Sequence, residues 1–213
     1  MKNALIYGSV NPGIVARVPS DCRRVLDVGC GTGILGSTLK EANPALYVAG
    51  ITHSEREAER ALEVLDDVVG ADLETFDFRN MGEFDCVICS HVLEHLRNPI
   101  EVLTRLREVL SPGGTILIAL PNVLYWRQRL QFLIGRFRYT KGGVMDNTHL
   151  VFFDLKTARD LVLGAGLRLS DCASEGGFPG SRYLGPAGAI LDSVSLRLAP
   201  GLVGTQFVLV ATG

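Results

Sequence analysis

The sequence predicts an α/β fold, in which helices pack on a doubly wound, mostly parallel β-sheet. Short apolar segments alternate along the chain with amphipathic segments of helical period, and a glycine-rich turn joins the first apolar segment to the first helix. Strands that alternate with helices form parallel sheets because each helix carries the chain back across the sheet. The chain has 213 residues with 47% hydrophobic content, which is enough for one sizeable core.

The segment "VLDVGCGTG" at 25–33 predicts the first strand and the turn after it. Its apolar residues are typical of a buried strand, whereas Gly29, Gly31 and Gly33 lack the Cβ atoms that would block a close ligand. The next segment, "ILGSTLKEA" at 34–42, has helical spacing, and the free N–H groups that open a helix favour electron-rich ligand atoms. The turn is therefore predicted to hold a nucleotide.

The later elements continue the alternation. They are a strand at 45–51, a helix at 54–65, strands at 67–73 and 84–90, a helix at 98–110, a strand at 115–121, a helix at 154–166 and a last strand at 205–212. Ligands of such sheets bind at the carboxyl ends of the strands. An insertion at about 122–152, rich in arginine and aromatic residues, is predicted to cap that pocket, either contacting an anionic or glycosylated substrate or packing with one apolar helix face. The Gly- and Pro-rich stretch 176–204 has no clear period.

Charge and composition restrict the class of partner. The 21 basic and 23 acidic residues are spread along the chain, so neither nucleic acid nor an anionic membrane is expected as partner, and a small-molecule substrate is. No apolar run approaches the roughly 18 residues of a membrane span, and the N-terminus lacks a signal-peptide core, which predicts a cytoplasmic protein. The five cysteines are expected to be reduced, with "CVIC" at 86–89 a packed strand rather than a redox or zinc site. The oligomeric state stays open.

Four motifs resemble those of the class I S-adenosylmethionine-dependent methyltransferases. They are "VLDVGCGTG", "GADLE" at 70–74, "FDCVICSHVLEHLRNP" at 84–99 and "LSPGGTILIALPN" at 110–122. A dinucleotide fingerprint would need GxGxxG, and this glycine loop is one residue shorter. The resemblance implies one methyltransferase domain over 1–213, a Rossmann-like seven-stranded sheet with an antiparallel last strand, and S-adenosylmethionine as cofactor. The segment from Pro121 to Leu167 is similar to a bacterial small-molecule branch, often found with polysaccharide or secondary-metabolite genes.

The resemblance also implies which residues contact the cofactor. These are Asp27, Gly29, Cys30, Gly31 and Gly33 at the methionine end, Asp72 and Leu73 at the adenine, and Ser90 beside the sulfonium. The alternative is a helix-packing glycine set and a turn carboxylate. In the family an acid at the end of the second strand holds both ribose hydroxyls, but Thr52 has that place here. A neutral hydroxyl is expected to bind the ribose more weakly than a carboxylate.

Methyl transfer from a sulfonium is an in-line displacement, so catalysis requires alignment and, for an alcohol acceptor, removal of a proton. His149 is the first candidate for the base, with Asp146 as an acid that orients it, and His91 is the second. The alternative for His149 is a loop histidine that bonds to backbone and positions the cap.

The segment "HVLEH" at 91–95 allows two interpretations. Its spacing resembles the ExxEH cluster of the ubiquinone-biosynthesis O-methyltransferases, which is associated with a metal, although His91 replaces the first glutamate. If the segment turns helically, His91, Glu94 and His95 share one face and form a ligand set for a divalent ion. We favour the alternative, a cap and salt-bridge cluster without a metal.

The leading functional hypothesis is methyl transfer from S-adenosylmethionine to a small acceptor, in particular an oxygen nucleophile on a sugar or metabolite. One alternative is a regulator or accessory protein that binds the cofactor without transferring the methyl group. Another is a different reaction of the same cofactor, such as lyase or cyclisation chemistry.

Overall fold

The computed structural model describes residues 10–213, which form one seven-stranded sheet with helices around it. The strands are β1 (Arg24–Val28), β2 (Tyr47–Thr52), β3 (Asp67–Gly70), β4 (Phe84–Ser90), β5 (Leu110–Pro121), β6 (Arg168–Gly176) and β7 (Gly204–Thr212). Their order is β3-β2-β1-β4-β5-β7-β6, and β7 runs antiparallel to both of its neighbours. The first five strands are parallel. The predicted fold class is confirmed, including the antiparallel last strand.

The described part of the chain has eight α-helices, which include those predicted at 34–42, 54–65, 98–110 and 154–166. They are α1 (Pro12–Val15), α2 (Ile34–Ala42), α3 (Glu55–Ala61), α4 (Pro99–Arg107), α5 (Trp126–Leu133), α6 (Leu155–Gly164), α7 (Pro186–Leu198) and α8 (Pro200–Val203). Side chains cap several of them: Asn11 accepts the Gly13 N–H before α1, and Asp154 forms a capping box with Thr157 at α6. None of the helices in residues 10–213 combines the length and apolar character needed to cross a bilayer.

Alternate residues of the strands pack on opposite faces of the sheet, which gives two apolar clusters. In β1, Leu26 and Val28 belong to one cluster and Val25 to the other, and each is at most 1% exposed. A strand covered on both faces reads as a continuous apolar run. Cys86 and Cys89 are fully buried in β4 as free thiols, which confirms that "CVIC" is a packed strand.

Strand β6 was not among the predicted elements. It lies at the edge of the sheet, and its residues, "RLSDCASEG", are partly or fully exposed, so they carry no apolar period. The stretch 176–204, which had no predicted structure, contains α7 and α8. Strand β3 also ends earlier than predicted, at Gly70.

The insertion at 122–152 differs from the prediction in its packing. The structure leaves Leu130 and Leu133 exposed and instead buries Gln128 in helix α5. Met145 and Asp146, in the loop after the helix, are also buried. The packing part of the insertion is therefore the loop, and the expectation of a buried apolar helix face was wrong.

Candidate functional site

A cavity of about 1090 Å³ opens at the carboxyl ends of the parallel strands. All predicted site residues except Asp27 and Gly33 line it: Gly29, Cys30, Gly31, Thr52, Asp72, Leu73, Ser90, His91, Asp146 and His149. The loop of the insertion contributes Gly143, Val144, Thr148 and Leu150 to the lining of the cavity, beside the two predicted residues Asp146 and His149. The volume slightly exceeds the roughly 300–1000 Å³ that is typical of ligand pockets.

The glycine loop after β1 brings bare backbone to this cavity. Gly29 and Gly31 have φ values of +76° and +54°, a region that L-residues rarely adopt. A Cβ on Gly31 would meet no atom within 4 Å, whereas one on Gly29 would lie 2.8 Å from Cγ2 of Val92. The N–H groups of Gly29 and Cys30 both donate to the carbonyl of Ile51, at 2.8 and 2.9 Å. The resemblance implies that the carbonyl or N–H groups of Gly29 and Cys30 contact the cofactor. Both N–H groups are engaged here and the Cys30 carbonyl accepts the Gly33 N–H at 2.9 Å, so the Gly29 carbonyl is the group left for a ligand.

Gly33 has a different environment from the other two glycines. It is the N-cap of α2 with φ of +81°, and a Cβ there would lie 2.9 Å from Cγ2 of Val64. Close packing of helix α2 against the chain near Val64 thus explains Gly33. For this glycine, the helix-packing alternative given in the sequence analysis is sufficient.

Asp27 belongs to β1, directly before the loop, and does not line the cavity. The residue is 3% exposed, and its Oδ2 atom has no hydrogen-bond partner among residues 10–213. Burial raises the pKa of this carboxyl to about 7. A buried carboxylate without a partner is unfavourable, so the site is suited to a ligand that brings a cationic group.

The ends of β2 and β3 form the next part of the wall. The Thr52 hydroxyl, in a residue 3% exposed, donates a 2.8 Å hydrogen bond to Oε2 of Glu57. Asp72 is exposed and accepts the Glu74 N–H at 2.9 Å, while Leu73 is 7% exposed. Sequence reasoning missed Glu57, although its place three residues after the helix cap was visible in the pattern.

His91 follows β4 and has both ring nitrogens engaged. It is the one non-glycine residue with positive φ, +55°, in the described part of the chain. Its Nδ1 lies 3.2 Å from Oε1 of Glu94, and its Nε2 lies 2.7 Å from Oε1 of Gln206. Because the Gln206 amide donates to Glu175 at 2.8 Å, its oxygen points to His91. Burial lowers the pKa of His91, but the hydrogen bonds to Glu94 and Gln206 and the charges of Glu94 and Glu175 together outweigh it, so the pKa lies above its ordinary value.

His149 reaches the same cavity from the insertion and has one engaged nitrogen. Its Nδ1 lies 3.2 Å from the carbonyl oxygen of Val144. Burial is the main cause that holds the pKa of His149 below its ordinary value. The predicted pairing with Asp146 was wrong: the Asp146 carboxylate accepts the N–H and the hydroxyl of Thr148, at 2.8 and 2.7 Å. Because the Asp146 carboxylate is bonded to Thr148, the backbone carbonyl of Val144 is the group that orients the imidazole.

A second group of side chains has the composition of a metal site. Glu94, His95 and His149 each offer one ligand atom, and these atoms lie within 4.8 Å of one another. Oε2 of Glu94 is buried and has no partner in the described chain, and the His95 Nδ1 lies 3.2 Å from the Thr148 carbonyl. Two imidazoles oriented by backbone carbonyls, with a carboxylate, fit a divalent transition metal. This group differs from the alternative set considered for "HVLEH", because the His91 ring is engaged with Glu94 and Gln206.

A family model described as a methyltransferase domain matches residues 12–171. The chain belongs to the class I S-adenosylmethionine-dependent methyltransferases. The ubiquinone biosynthesis O-methyltransferase of Aromatoleum aromaticum is 34% identical to this methyltransferase over 106 residues, which are 47% of this chain and 44% of that protein. The corresponding enzyme of Dechloromonas aromatica is 36% identical over 108 residues, 47% of this chain and 45% of that one. The match thus spans less than half the length of these curated relatives.

Solved structures share the fold of this methyltransferase at lower identity. A S-adenosylmethionine-dependent methyltransferase from Archaeoglobus fulgidus has a TM-score of 0.63 at 20% identity, and the match covers 91% of this chain and 87% of that one. The plantazolicin methyltransferase in complex with S-adenosylhomocysteine has a TM-score of 0.60 at 19% identity, covering 90% of this chain and 76% of that one. At such identities the likeness supports the architecture alone.

Proposed function

We propose that this methyltransferase transfers the methyl group of S-adenosylmethionine to a hydroxyl oxygen of a small molecule, with His149 as the proton acceptor. The observation that carries the proposal is the position of two unlike groups in one cavity. Gly31 of the glycine loop and His149 of the insertion both line it. Enclosure of both reactants in one cavity supports the alignment that in-line displacement requires.

The cofactor side fits the methionine end of the cofactor. Asp27 does not line the cavity, but it belongs to the strand that directly precedes the glycine loop, and we propose that its unpartnered Oδ2 receives the ammonium group of the ligand. Gly31 leaves space where any other residue would have a side chain. Asp72 and Leu73 line the cavity at the position that the resemblance assigns to the adenine, and Ser90 lines it beside His91. The cofactor supplies an electrophilic methyl carbon when it is bound; the chain supplies its orientation.

His149 fits the role of base better than His91 does. The Val144 carbonyl accepts the Nδ1–H of His149, which leaves Nε2 with a lone pair, and the lowered pKa keeps the ring neutral at pH 7. His91 faces acceptor atoms with both nitrogens, so both carry protons and neither accepts another. We infer that His91 orients Glu94 and the loop after β4, and that Asp146 supports the turn that carries His149.

Two observations favour oxygen as the acceptor atom. A hydroxyl must lose its proton during transfer, and the His149 ring is in the state that takes one. The curated relatives from Aromatoleum aromaticum and Dechloromonas aromatica are named O-methyltransferases. The substrate class that we propose is therefore a hydroxylated metabolite or sugar. We also propose that the protein acts as a single domain in the cytoplasm, with neither nucleic acid nor a membrane as its partner.

The test is transfer of a radioactive methyl group from S-adenosylmethionine to small molecules of a metabolite extract. We expect a labelled product whose mass exceeds that of its precursor by one CH₂ unit, and no product with His149→Ala. Cofactor binding without labelled product would instead favour the non-catalytic regulator. A label that stays in a thioether fragment of the cofactor, with no methylated acceptor, would favour lyase or cyclisation chemistry.

A further inference from the structure

The carboxyl end of β2 has a hydroxyl where the family resemblance expects a carboxylate. Thr52 is the last residue of the strand, pairs with Gly70 of β3 and is 3% exposed. Its hydroxyl donates a 2.8 Å hydrogen bond to Oε2 of Glu57 in helix α3. A carboxylate therefore lies beside the strand end, although the strand itself supplies none.

The Glu57 side chain makes this contact in place of a local one. Ser54 caps α3, and its hydroxyl accepts the Glu57 N–H at 3.4 Å. In a capping box the glutamate at this position reaches back to the N–H of the cap residue. Here the carboxylate is bonded to Thr52 instead, and both residues line the cavity. The Thr52 hydroxyl thus holds the Glu57 carboxylate at the cavity.

The order of the strands places this carboxylate between two cofactor-binding positions. Strand β2 lies between β1 and β3, with the glycine loop after β1 and Asp72 after β3. Gly31, Glu57 and Asp72 all line the same cavity. A nucleoside derivative that extends from the glycine loop to Asp72 crosses the end of β2 with its sugar.

The charge of Glu57 also acts on the glycine loop. Burial is the main cause that raises the pKa of the Cys30 thiol to about 12, and the charges of Asp27 and Glu57 raise it further. Glu57 is partly buried, so water screens its carboxylate less than it screens the exposed Glu55 in the same helix. This combination of charge and partial burial is what recognition of hydroxyl donors requires.

We propose that Glu57 binds the ribose hydroxyls of the cofactor, with Thr52 as the residue that positions it. The inference rests on the proposed function, because it requires S-adenosylmethionine in this cavity. A carboxylate has about four acceptor sites, so the Thr52 hydroxyl takes one at Oε2 and Oε1 remains for the sugar. Hydrogen bonds to an ionised acceptor are roughly twice as strong as neutral ones. Glu57 therefore replaces the acid that the family has at the end of the strand. The cofactor ribose is then held by a carboxylate, and the weak ribose binding expected from a neutral Thr52 hydroxyl is not expected.

Calorimetry with S-adenosylhomocysteine tests the role of Glu57. We expect Glu57→Gln, which keeps the shape and removes the charge, to lower the affinity roughly 10- to 100-fold. Glu55→Gln is the matched control, because it makes the same charge change in the first turn of the same helix at an exposed residue outside the cavity. Equal affinities of Glu57→Gln, Glu55→Gln and wild type would overturn the proposal.

Substitutions at Thr52 test the positioning role. Thr52→Val should lower the affinity less than Glu57→Gln does, and Thr52→Ser should restore it because the hydroxyl returns. Thr52→Asp alone should weaken binding, since it sets a second carboxylate against Glu57, whereas Thr52→Asp with Glu57→Gln should recover most of the affinity. Tighter binding of S-adenosylhomocysteine by Thr52→Asp alone would contradict the proposal, because it would mean that no carboxylate contacts the ribose in the wild-type protein.

A sugar variant of the ligand assigns the effect to the hydroxyls. The 2′,3′-dideoxyribose analogue of S-adenosylhomocysteine should bind wild type and Glu57→Gln with equal affinity. If Glu57→Gln lowers the affinity for this analogue as much as it lowers the affinity for S-adenosylhomocysteine, Glu57 does not act through the ribose hydroxyls and the assignment is overturned. If the wild-type protein does not bind S-adenosylhomocysteine, both the proposed function and this inference fail. If the wild-type protein and Glu57→Gln bind it equally well, only this inference fails.

Discussion

The Nδ1 atom of His149 lies 3.2 Å from the backbone carbonyl oxygen of Val144. A carbonyl only accepts, so Nδ1 carries the proton and Nε2 carries the lone pair of the neutral ring. The turn that contains Val144 therefore sets the tautomer as well as the direction of the imidazole. A backbone group makes this choice, so no side-chain pattern in the sequence specifies it.

The first prediction concerns turnover. We expect His149→Ala to lower kcat by about 10²- to 10⁴-fold, because positioned general bases contribute about that much. The affinity for S-adenosylhomocysteine, measured by calorimetry, should stay unchanged. Asn147→Ala is the control, since Asn147 is exposed in the same loop and lies outside the cavity wall. Normal turnover by His149→Ala would leave His149 as a loop residue that only positions the insertion.

The second prediction is the pH profile of kcat. The base must be neutral to accept a proton, so activity is lost as pH falls through the pKa of His149. Burial holds that pKa below its ordinary value of 6.5, and the activity should therefore be complete at pH 7 and decline only in more acidic solution. The acidic limb should be absent from the residual activity of His149→Ala. A limb that begins above pH 7 would identify a group with a raised pKa, such as His91, as the base.

The third prediction separates the base from a metal ligand. If His149 is the base, activity should persist after dialysis against a chelator. Loss of activity, with restoration by Zn²⁺ or Mn²⁺, would assign the Glu94, His95 and His149 cluster to a divalent ion and contradict a general base at His149. His95→Asn provides the comparison, because it removes one ligand and leaves the Val144 contact of His149 in place.

The fourth prediction concerns Asp27. Burial raises its folded-state pKa to about 7 from 3.8, so between these values the folded state binds the proton more strongly than the unfolded chain. The stability of the unliganded protein should thus fall as pH rises from about 4 to about 7. Asp27→Asn should remove that dependence and, at pH 8, raise the free energy of unfolding while weakening S-adenosylhomocysteine binding roughly tenfold or more. Urea unfolding and calorimetry measure the two effects, and unchanged binding would exclude an ionic contact with the ligand.

The sequence predicted the elements whose residues pack on two sides or carry a cap. Strand β1 was predictable because it is buried on both faces and therefore consists of apolar residues such as Leu26. The glycine loop was predictable because its positive φ angles, as at Gly31, favour glycine. Strand β6 lacks such a pattern because an edge strand takes its place by pairing with β7 rather than by its own period.

The contacts that define the candidate site were harder to predict because they join separate elements. The Glu57 carboxylate could bond its own helix cap or Thr52, and only the fold decides between them. The same holds for His91, whose ring meets Gln206 from a strand 115 residues away in sequence. Motif positions were therefore available from the sequence, but hydrogen-bond partners were not.

The fifth prediction uses two neighbouring glycines to separate cofactor binding from folding. Alanine at Gly29 or Gly31 has the same backbone cost of about 1–2 kcal/mol, because both residues have positive φ. At Gly29 the new Cβ would also lie 2.8 Å from Val92, whereas at Gly31 it would enter open space at the cavity. Urea unfolding should therefore show the larger loss of stability for Gly29→Ala, and calorimetry with S-adenosylhomocysteine should show a marked loss of affinity for a folded Gly31→Ala. Wild-type affinity in Gly31→Ala would mean that no ligand approaches this backbone, and the glycine would then be required by its turn alone.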